Sequence, residues 1–121
     1  MMAIWAGVFP AVTTKLNRQG ELDLSATQSS IERLIQSGVS GLIVLPMLCE
    51  NASLTLDEKE KVIRAAREVV GGRVPLLAGL AEISSDSAVS TARKFQGFGA
   101  EGLMAFPSIA YKSDARETVA W

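Results

Sequence analysis

Four short apolar runs are spaced along the chain, with a longer segment of mixed polarity between each run and the next. The runs cover residues 7–12, 41–45, 74–80 and 102–106. Each run is too short for a buried helix and lacks strict polar alternation, which is typical of strands that are covered on both faces of a parallel sheet. Each gap has room for one helix. The pattern therefore predicts an α/β fold of four parallel βα units.

The gaps between the runs contain start and stop signals for three helices. The starts are polar residues of the capping type: Asp23, Thr55 with Glu58 three residues later, and Ser84 or Ser85. The ends are glycines: Gly38, the pair Gly71 and Gly72, and then Gly97 with Gly99. Thr55 and Glu58 have the spacing of a capping box, in which each side chain accepts a hydrogen bond from the other residue's backbone N–H.

A fourth helix is predicted to begin near Ser113 or Asp114, and the sequence reaches Trp121 about two turns later. We therefore expect the chain to be truncated within this helix. Residues 99–107 are similar in sequence to residues 38–46, which favours a repeated βα unit. The alternative is that turns between helices and strands commonly have such sequences. The alternation fits either part of a barrel or a flavodoxin-like sheet, but no glycine-rich phosphate loop follows the first run.

Composition narrows the classes of function. The net charge of −1 gives no electrostatic reason to expect nucleic acid or a membrane as a partner. Cys49 is the single cysteine and histidine is absent, so this segment contains neither a zinc hydrolase site nor a Ser-His-Asp triad. We expect no metal and no cofactor. No apolar run approaches the roughly 20 residues that span a bilayer, and no signal peptide is evident, so the cytoplasm is the expected location.

Several segments in order resemble the dihydrodipicolinate synthase/N-acetylneuraminate lyase family. They are residues 7–14, residue 23 with residues 37–42, residues 50–59 after the position of the family's G-T-T-G-E motif, and residues 72–79. The resemblance runs from about residue 4 to the end of the chain without a gap. It implies a (β/α)8 TIM barrel, in which residues 1–121 would be the N-terminal half of a single domain.

The resemblance also implies a mechanism. Family members use a lysine on the sixth strand to form a Schiff base with pyruvate or another 2-oxo acid, and a tyrosine on the fifth strand to relay protons. Both positions lie beyond Trp121, so no catalytic residue is expected in this segment. Most of the lysines that are present are expected to be solvated surface charges; the five are Lys15, Lys59, Lys61, Lys94 and Lys112. Lys15 is the exception, because it falls in the first βα loop, on the catalytic face of a barrel.

The loop after the second strand is where the family holds the substrate carboxylate. By this resemblance Met47, Leu48, Cys49 and Glu50 are candidate substrate-binding residues. Only the glutamate of the family motif is retained, and both hydroxyl positions are apolar. Cys49 either contacts substrate or is a small residue tolerated in place of glycine, and Glu50 is expected to hold loop amides.

Two further positions are candidates for lining the site. They are Thr13, after the first strand, and Ile109, after the fourth. Ser108 and Ile109 stand where synthases of the family carry paired tyrosines, and Tyr111 lies two residues further on. These departures argue against dihydrodipicolinate synthase chemistry, because methionine, leucine and isoleucine cannot pass a proton.

The leading hypothesis is a Schiff-base lyase or aldolase that acts on pyruvate or another 2-oxo acid. Dehydratases and deaminases, such as one acting on a hydroxy-pyrroline carboxylate, are variants of the same chemistry. The implied partners are a small-molecule 2-oxo acid and further copies of the same chain, as a dimer or tetramer. The alternative is a non-catalytic half-barrel that self-associates, and a flavodoxin-like binding module is a third reading.

Overall fold

The chain alternates helices with parallel strands, as its apolar pattern predicts. The computed structural model describes residues 5–46, 51–107 and 114–120. In chain order the elements are α1 (Leu24–Gln36), β1 (Leu42–Val44), a 3-10 turn (Asn51–Ser53), α2 (Leu56–Val70), β2 (Leu76–Leu80), α3 (Ser85–Phe98), β3 (Gly102–Ala105) and α4 (Ala115–Ala120). The predicted α/β class is confirmed. The strands are slightly shorter than the apolar runs that predicted them.

The three strands form one parallel sheet whose spatial order, β1-β2-β3, is also their order in the chain. Leu77 of β2 is in register with Ile43 on one side and with Gly102 on the other. Since each parallel pair is connected through a helix, all three strands end at the same edge of the sheet. We call this the carboxyl edge.

Residues 7–12, predicted as a strand, form only a single parallel bridge, between Ala11 and Ile43. The N–H of Val12 donates to the Ile43 carbonyl at 2.8 Å, and the N–H of Ile43 donates to the Pro10 carbonyl at 3.1 Å. Pro10 has no N–H of its own, so the segment lacks a donor where a longer ladder needs one. The prediction of a full strand is therefore wrong, whereas its place beside β1 and its parallel direction are confirmed.

Each of the three longer helices begins at a capping residue that the sequence predicts. Asp23 Oδ1 accepts from the N–H of Ala26 at 2.9 Å, and Ser84 Oγ accepts from the N–H of Ser87 at 3.2 Å. The capping box of α2 is complete: the N–H of Glu58 donates to Thr55 Oγ1 at 3.2 Å, and the N–H of Thr55 donates to Glu58 Oε1 at 3.0 Å.

The end of α3, predicted at Gly97 with Gly99, is confirmed for Gly99 only. Gly97 lies inside α3, and the helix ends at Gly99, whose φ of 121° is one that other residues rarely adopt. Gly71, after α2, adopts the left-handed conformation, as a glycine at a helix end commonly does. The helix thus continues through Gly97, because Gly99 supplies the conformation that ends it.

The hydrophobic core lies between the sheet and helices α1, α2 and α3. Its fully buried members include Ile31, Leu42, Val62, Ile63, Leu76 and Phe95. Two aromatic rings pack at the other end of the strands, away from the carboxyl edge. The ring of Phe9 lies against Gly41, and the ring of Trp5 lies against Gly102. In the described part of the chain, no helix is long and apolar enough to cross a membrane.

Surface ion pairs connect neighbouring elements. The Arg73 guanidinium, after α2, donates to both carboxylate oxygens of Glu32 on α1, at 3.1 and 2.5 Å. Arg67 on α2 donates to Glu101, before β3, at 2.7 Å. The guanidinium of Arg73 holds the pKa of Glu32 below its usual value, and the Glu32 carboxylate raises the pKa of Arg73.

Candidate functional site at the carboxyl edge

The carboxyl edge gathers the segments that follow the strands. Residues 13–15 follow the bridge segment, residues 45–46 follow β1, residues 81–83 follow β2 and residues 106–107 follow β3. In open α/β sheets and in barrels, ligands bind outside the carboxyl ends of the strands. This edge is therefore the candidate functional site.

Thr13, predicted to line the site, is exposed at this edge. Its Oγ1 accepts a hydrogen bond from Lys15 Nζ at 3.2 Å. The backbone N–H of Lys15 donates to the buried Thr27 Oγ1 at 3.0 Å, which fixes this loop on α1. The structure thus places Thr13 and Lys15 together at the carboxyl edge.

The end of β1 has an unusual backbone. Leu45, fully buried, has a φ of 55°, in the left-handed region that non-glycine residues rarely adopt. Its carbonyl oxygen approaches Gly79 of β2 so closely that a Cβ atom there would overlap it. The buried Asn51 Nδ2 donates to this carbonyl at 2.6 Å and to the Gly79 carbonyl at 3.0 Å. One amide thereby connects two strands at the carboxyl edge.

The predicted substrate-binding residues Met47, Leu48, Cys49 and Glu50 lie outside the described residues, and so does Ile109. Ser108, Tyr111 and Lys112 also lie outside them. The residues that flank residues 47–50 are described: Pro46 and Asn51 are both buried at the carboxyl edge.

A cleft of about 280 Å³ opens at the same edge. Its lining residues come from three successive connections and the first turn of α2: Ala52, Lys59, Ala81, Glu82, Ile83 and Pro107. Glu82 accepts hydrogen bonds from Ser87 Oγ and Thr91 Oγ1, each at 2.9 Å. The cleft therefore contains one cationic and one anionic side chain within largely apolar walls.

Lys59 is half-buried in this cleft, which lowers the pKa of its ammonium group; the nearby Glu82 carboxylate opposes this shift. The interpretation of most lysines as solvated surface charges therefore does not extend to Lys59. The sequence contains a signal for this burial, because Lys59 lies at helical spacing from the buried Val62, Ile63 and Ala66 and so on the same face of α2. Asn51 is a second buried residue that the sequence analysis does not identify, since a polar residue after a strand is normally expected in an exposed loop.

The described lysines lie on helices or connections: Lys15 precedes α1, Lys59 and Lys61 are on α2, and Lys94 is on α3. None of these four lies on a strand. Within residues 5–46, 51–107 and 114–120, no group of three or more histidine, cysteine, aspartate and glutamate side chains could hold a metal ion.

Comparisons with known proteins identify relatives of this chain and of its fold. The chain is 40% identical to the 4-hydroxy-tetrahydrodipicolinate synthase of Methanoculleus marisnigri, over 84% of this chain and 35% of that protein. It is 33% identical to the L-2-keto-3-deoxyarabonate dehydratase of Azospirillum brasilense, over 84% of this chain and 33% of that protein. The chain thus spans about a third of the length of these two relatives.

A solved structure with the same fold is a prophage protein of the dihydrodipicolinic acid synthase family from Escherichia coli K12, in complex with pyruvate. It superposes with a TM-score of 0.87 at 28% identity, and the match covers 98% of this chain and 40% of that one. Residues 5–119 match the dihydrodipicolinate synthetase family as a whole. The chain therefore belongs to the dihydrodipicolinate synthetase family.

Proposed function

We propose that residues 1–121 form the N-terminal half of a single (β/α)8-barrel domain in an enzyme that forms a Schiff base with pyruvate or another 2-oxo acid. The observation that carries this proposal is the match, across 98% of the chain, to a family structure in complex with pyruvate. The convergence of Thr13, Leu45 and Glu82 at one edge of a parallel sheet supports it, because this edge is the catalytic face of a barrel.

The imine-forming lysine would come from outside residues 1–121. The described lysines support this assignment, since Lys59, Lys61 and Lys94 are on helices and Lys15 is in a connection. In the proposed reaction the lysine amine attacks the ketone carbon of the 2-oxo acid, and water leaves. The protonated imine then accepts the electron pair of the adjacent bond that breaks. This half of the barrel would supply the groups that hold the substrate, among residues 47–50 and at Thr13 and Ile109.

We propose further that the reaction is a lyase, dehydratase or deaminase step rather than the condensation of pyruvate with aspartate semialdehyde. By the family resemblance, Met47, Leu48 and Ile109 stand where synthases carry hydroxyl groups. Each missing proton-relay contact slows proton transfer by roughly 10²–10⁴. The similarity to a 2-keto-3-deoxyarabonate dehydratase supports the dehydratase variant, and a deaminase of a hydroxy-pyrroline carboxylate uses the same imine chemistry. Coupled assay with aspartate semialdehyde tests this choice, and turnover near the usual enzyme median of about 10 s⁻¹ would contradict it.

The enzyme would act as a homo-oligomer, a dimer or tetramer, in the cytoplasm, with no metal or cofactor. The sequence of residues 1–121 supports the compartment and the absence of a metal. Its single cysteine suits a reducing compartment, and its lack of histidine removes the commonest metal ligand. Size-exclusion chromatography with multi-angle light scattering on the whole polypeptide measures the oligomeric state.

Borohydride trapping tests the Schiff base. The whole polypeptide in which residues 1–121 occur is incubated with pyruvate and sodium borohydride, and its intact mass is measured. We expect a stoichiometric increase equal to one reduced pyruvate imine. Residues 1–121 expressed alone are expected to give no adduct, because their described lysines lie outside the strands. An adduct on Lys15 in the isolated segment, or none on the whole polypeptide, would contradict the proposal.

The alternative function is a non-catalytic half-barrel that self-associates. Exposed apolar side chains such as Val8 and Met104 favour association of the isolated segment. Light scattering on residues 1–121 and trapping on the whole polypeptide separate the two functions. Association without trapping in the whole polypeptide would favour the half-barrel module, and trapping would exclude it.

A further inference from the structure

Asn51 occupies a buried position beside the segment to which we assign substrate binding. Its side chain is fully buried, and its Nδ2 donates to two carbonyl oxygens, that of Leu45 at 2.6 Å and that of Gly79 at 3.0 Å. Leu45 is the first residue after β1, and Gly79 lies within β2. The Asn51 side chain thus links the end of β1 to β2 by hydrogen bonds.

The carbonyl oxygens of Leu45 and Gly79 lie where the hydrogen-bonded pairing of the two strands ends. The pairing of β1 with β2 ends at Val44 and Ala78. Leu45 then turns into the left-handed region, with its carbonyl oxygen against Gly79. A buried carbonyl without a donor is costly, so some other group must donate to it. Asn51 supplies both N–H groups, one for each carbonyl.

Only the donor end of the Asn51 amide is used in the described part of the chain. Its Oδ1 is buried and has no hydrogen-bond partner there. The contribution of Asn51 is therefore its N–H groups, and a carboxylate of the same shape would bring two acceptors against two carbonyl oxygens. This asymmetry predicts different outcomes for substitutions of similar size.

We infer that Asn51 is a positioning residue for the proposed reaction, an inference that rests on the proposed function. Pro46 and Asn51 flank residues 47–50, and both are buried at the carboxyl edge. The two hydrogen bonds of Asn51 hold the flanks of this segment at a fixed distance from β2. Asn51 acts through the backbone of Leu45 and Gly79, and it is not assigned a contact with the reacting atoms.

Borohydride trapping of the whole polypeptide across a series of pyruvate concentrations tests the inference. It is made with the unsubstituted protein and with the Asn51→Ala, Asn51→Ser and Asn51→Asp variants, and the thermal unfolding midpoint of each is measured. Asn17→Ala is the matched control. Asn17 also forms two hydrogen bonds in a connection before a helix, accepting from the N–H groups of Gln19 and Glu21, but it is exposed.

We expect Asn51→Ala to raise the half-saturating pyruvate concentration roughly ten- to a hundredfold, because small displacements of substrate-holding groups have effects of this size. The maximal extent of trapping remains, since the lysine is intact. Asn51→Ser, which keeps one donor, should be intermediate, Asn51→Asp at least as impaired as Asn51→Ala, and Asn17→Ala unchanged.

An unchanged half-saturating concentration in folded Asn51→Ala, with only a lower unfolding midpoint, would overturn the inference and leave Asn51 a purely structural residue. If Asn51→Ala does not fold, Asn51→Ser decides by the same criterion. Absence of trapping in the unsubstituted polypeptide would overturn the proposed function and, with it, this role of Asn51.

Discussion

Gly79 of β2 lies directly against the carbonyl oxygen of Leu45, and a Cβ atom at position 79 would overlap that oxygen. Because the obstructing atom belongs to the backbone, a side-chain rotation cannot relieve the overlap. We expect Gly79→Ala to lower the free energy of unfolding by about 1–3 kcal/mol, the usual cost of overpacking a buried site. Urea unfolding of the whole polypeptide, followed by circular dichroism, measures the change.

Gly97→Ala is the matched control for that substitution. Gly97 lies inside α3, is exposed, and has no atom within 4 Å of the position of an added Cβ. Alanine there should raise the free energy of unfolding by about 0.5–1 kcal/mol through helix propensity. Equal effects of the two substitutions would contradict the close approach at Gly79.

The capping box of α2 offers a second stability test. Thr55 Oγ1 accepts from the N–H of Glu58, which would otherwise lack a partner at the helix start. Thr55→Ala should cost about 1 kcal/mol, whereas Thr55→Ser, which keeps the hydroxyl, should cost much less. Urea unfolding of both variants checks this, and an equal loss in the two would show that the hydroxyl does not carry the effect.

The partial burial of Lys59 predicts its titration. Burial lowers the pKa of its ammonium group, and the Glu82 carboxylate partly offsets this effect. The pH midpoint for acylation of Lys59 should thus lie below the ordinary lysine value of about 10.4. Glu82→Gln should lower it further, because it removes the negative charge that favours the ammonium form. Peptide mass spectrometry after pulse acetylation at several pH values measures the midpoint, and a rise in the variant would contradict the assignment.

The Glu32–Arg73 pair predicts a pH-dependent contribution to stability. The pKa of Glu32 is lower in the folded chain than its ordinary value of 4.5, mainly because Arg73 donates hydrogen bonds to it. Its contribution is therefore fully present above the ordinary pKa and is lost as the pH falls through the lowered value. The unsubstituted chain should be more stable than Glu32→Gln at pH 7, and the difference should shrink below about pH 4. Urea unfolding from pH 7 to pH 3 tests this, and high salt should reduce the difference because the pair is exposed.

The helix starts were predictable from the sequence because each depends on a local signal. Asp23, Thr55 and Ser84 each satisfy an orphan N–H within three residues, so their positions follow from short-range chemistry. The exact end of α3 was not predictable from the sequence, since Gly97 and Gly99 are both glycines near the helix end. Only the backbone conformation distinguishes them.

The candidate site was less predictable, because its contacts are between residues far apart in the sequence. Asn51 and Gly79 are 28 positions apart, and no local sequence pattern around either residue predicts their contact. The family resemblance predicted that residues 47–50 and Thr13 lie at the catalytic face, and the structure describes Thr13 at the carboxyl edge of the sheet. It did not indicate that Leu45 is left-handed, or that a buried amide holds its carbonyl oxygen.

The order of the sheet has a consequence for how the chain acquires its structure. Spatial order and chain order coincide among the three described strands, so β2 pairs with β1, and β3 pairs with β2, one βα unit before it. The loop that closes each pairing therefore has the length of a single unit, and its entropic cost does not grow as units are added. A chain emerging from the ribosome can add one unit at a time to an already paired strand, without waiting for a distant partner to be synthesised.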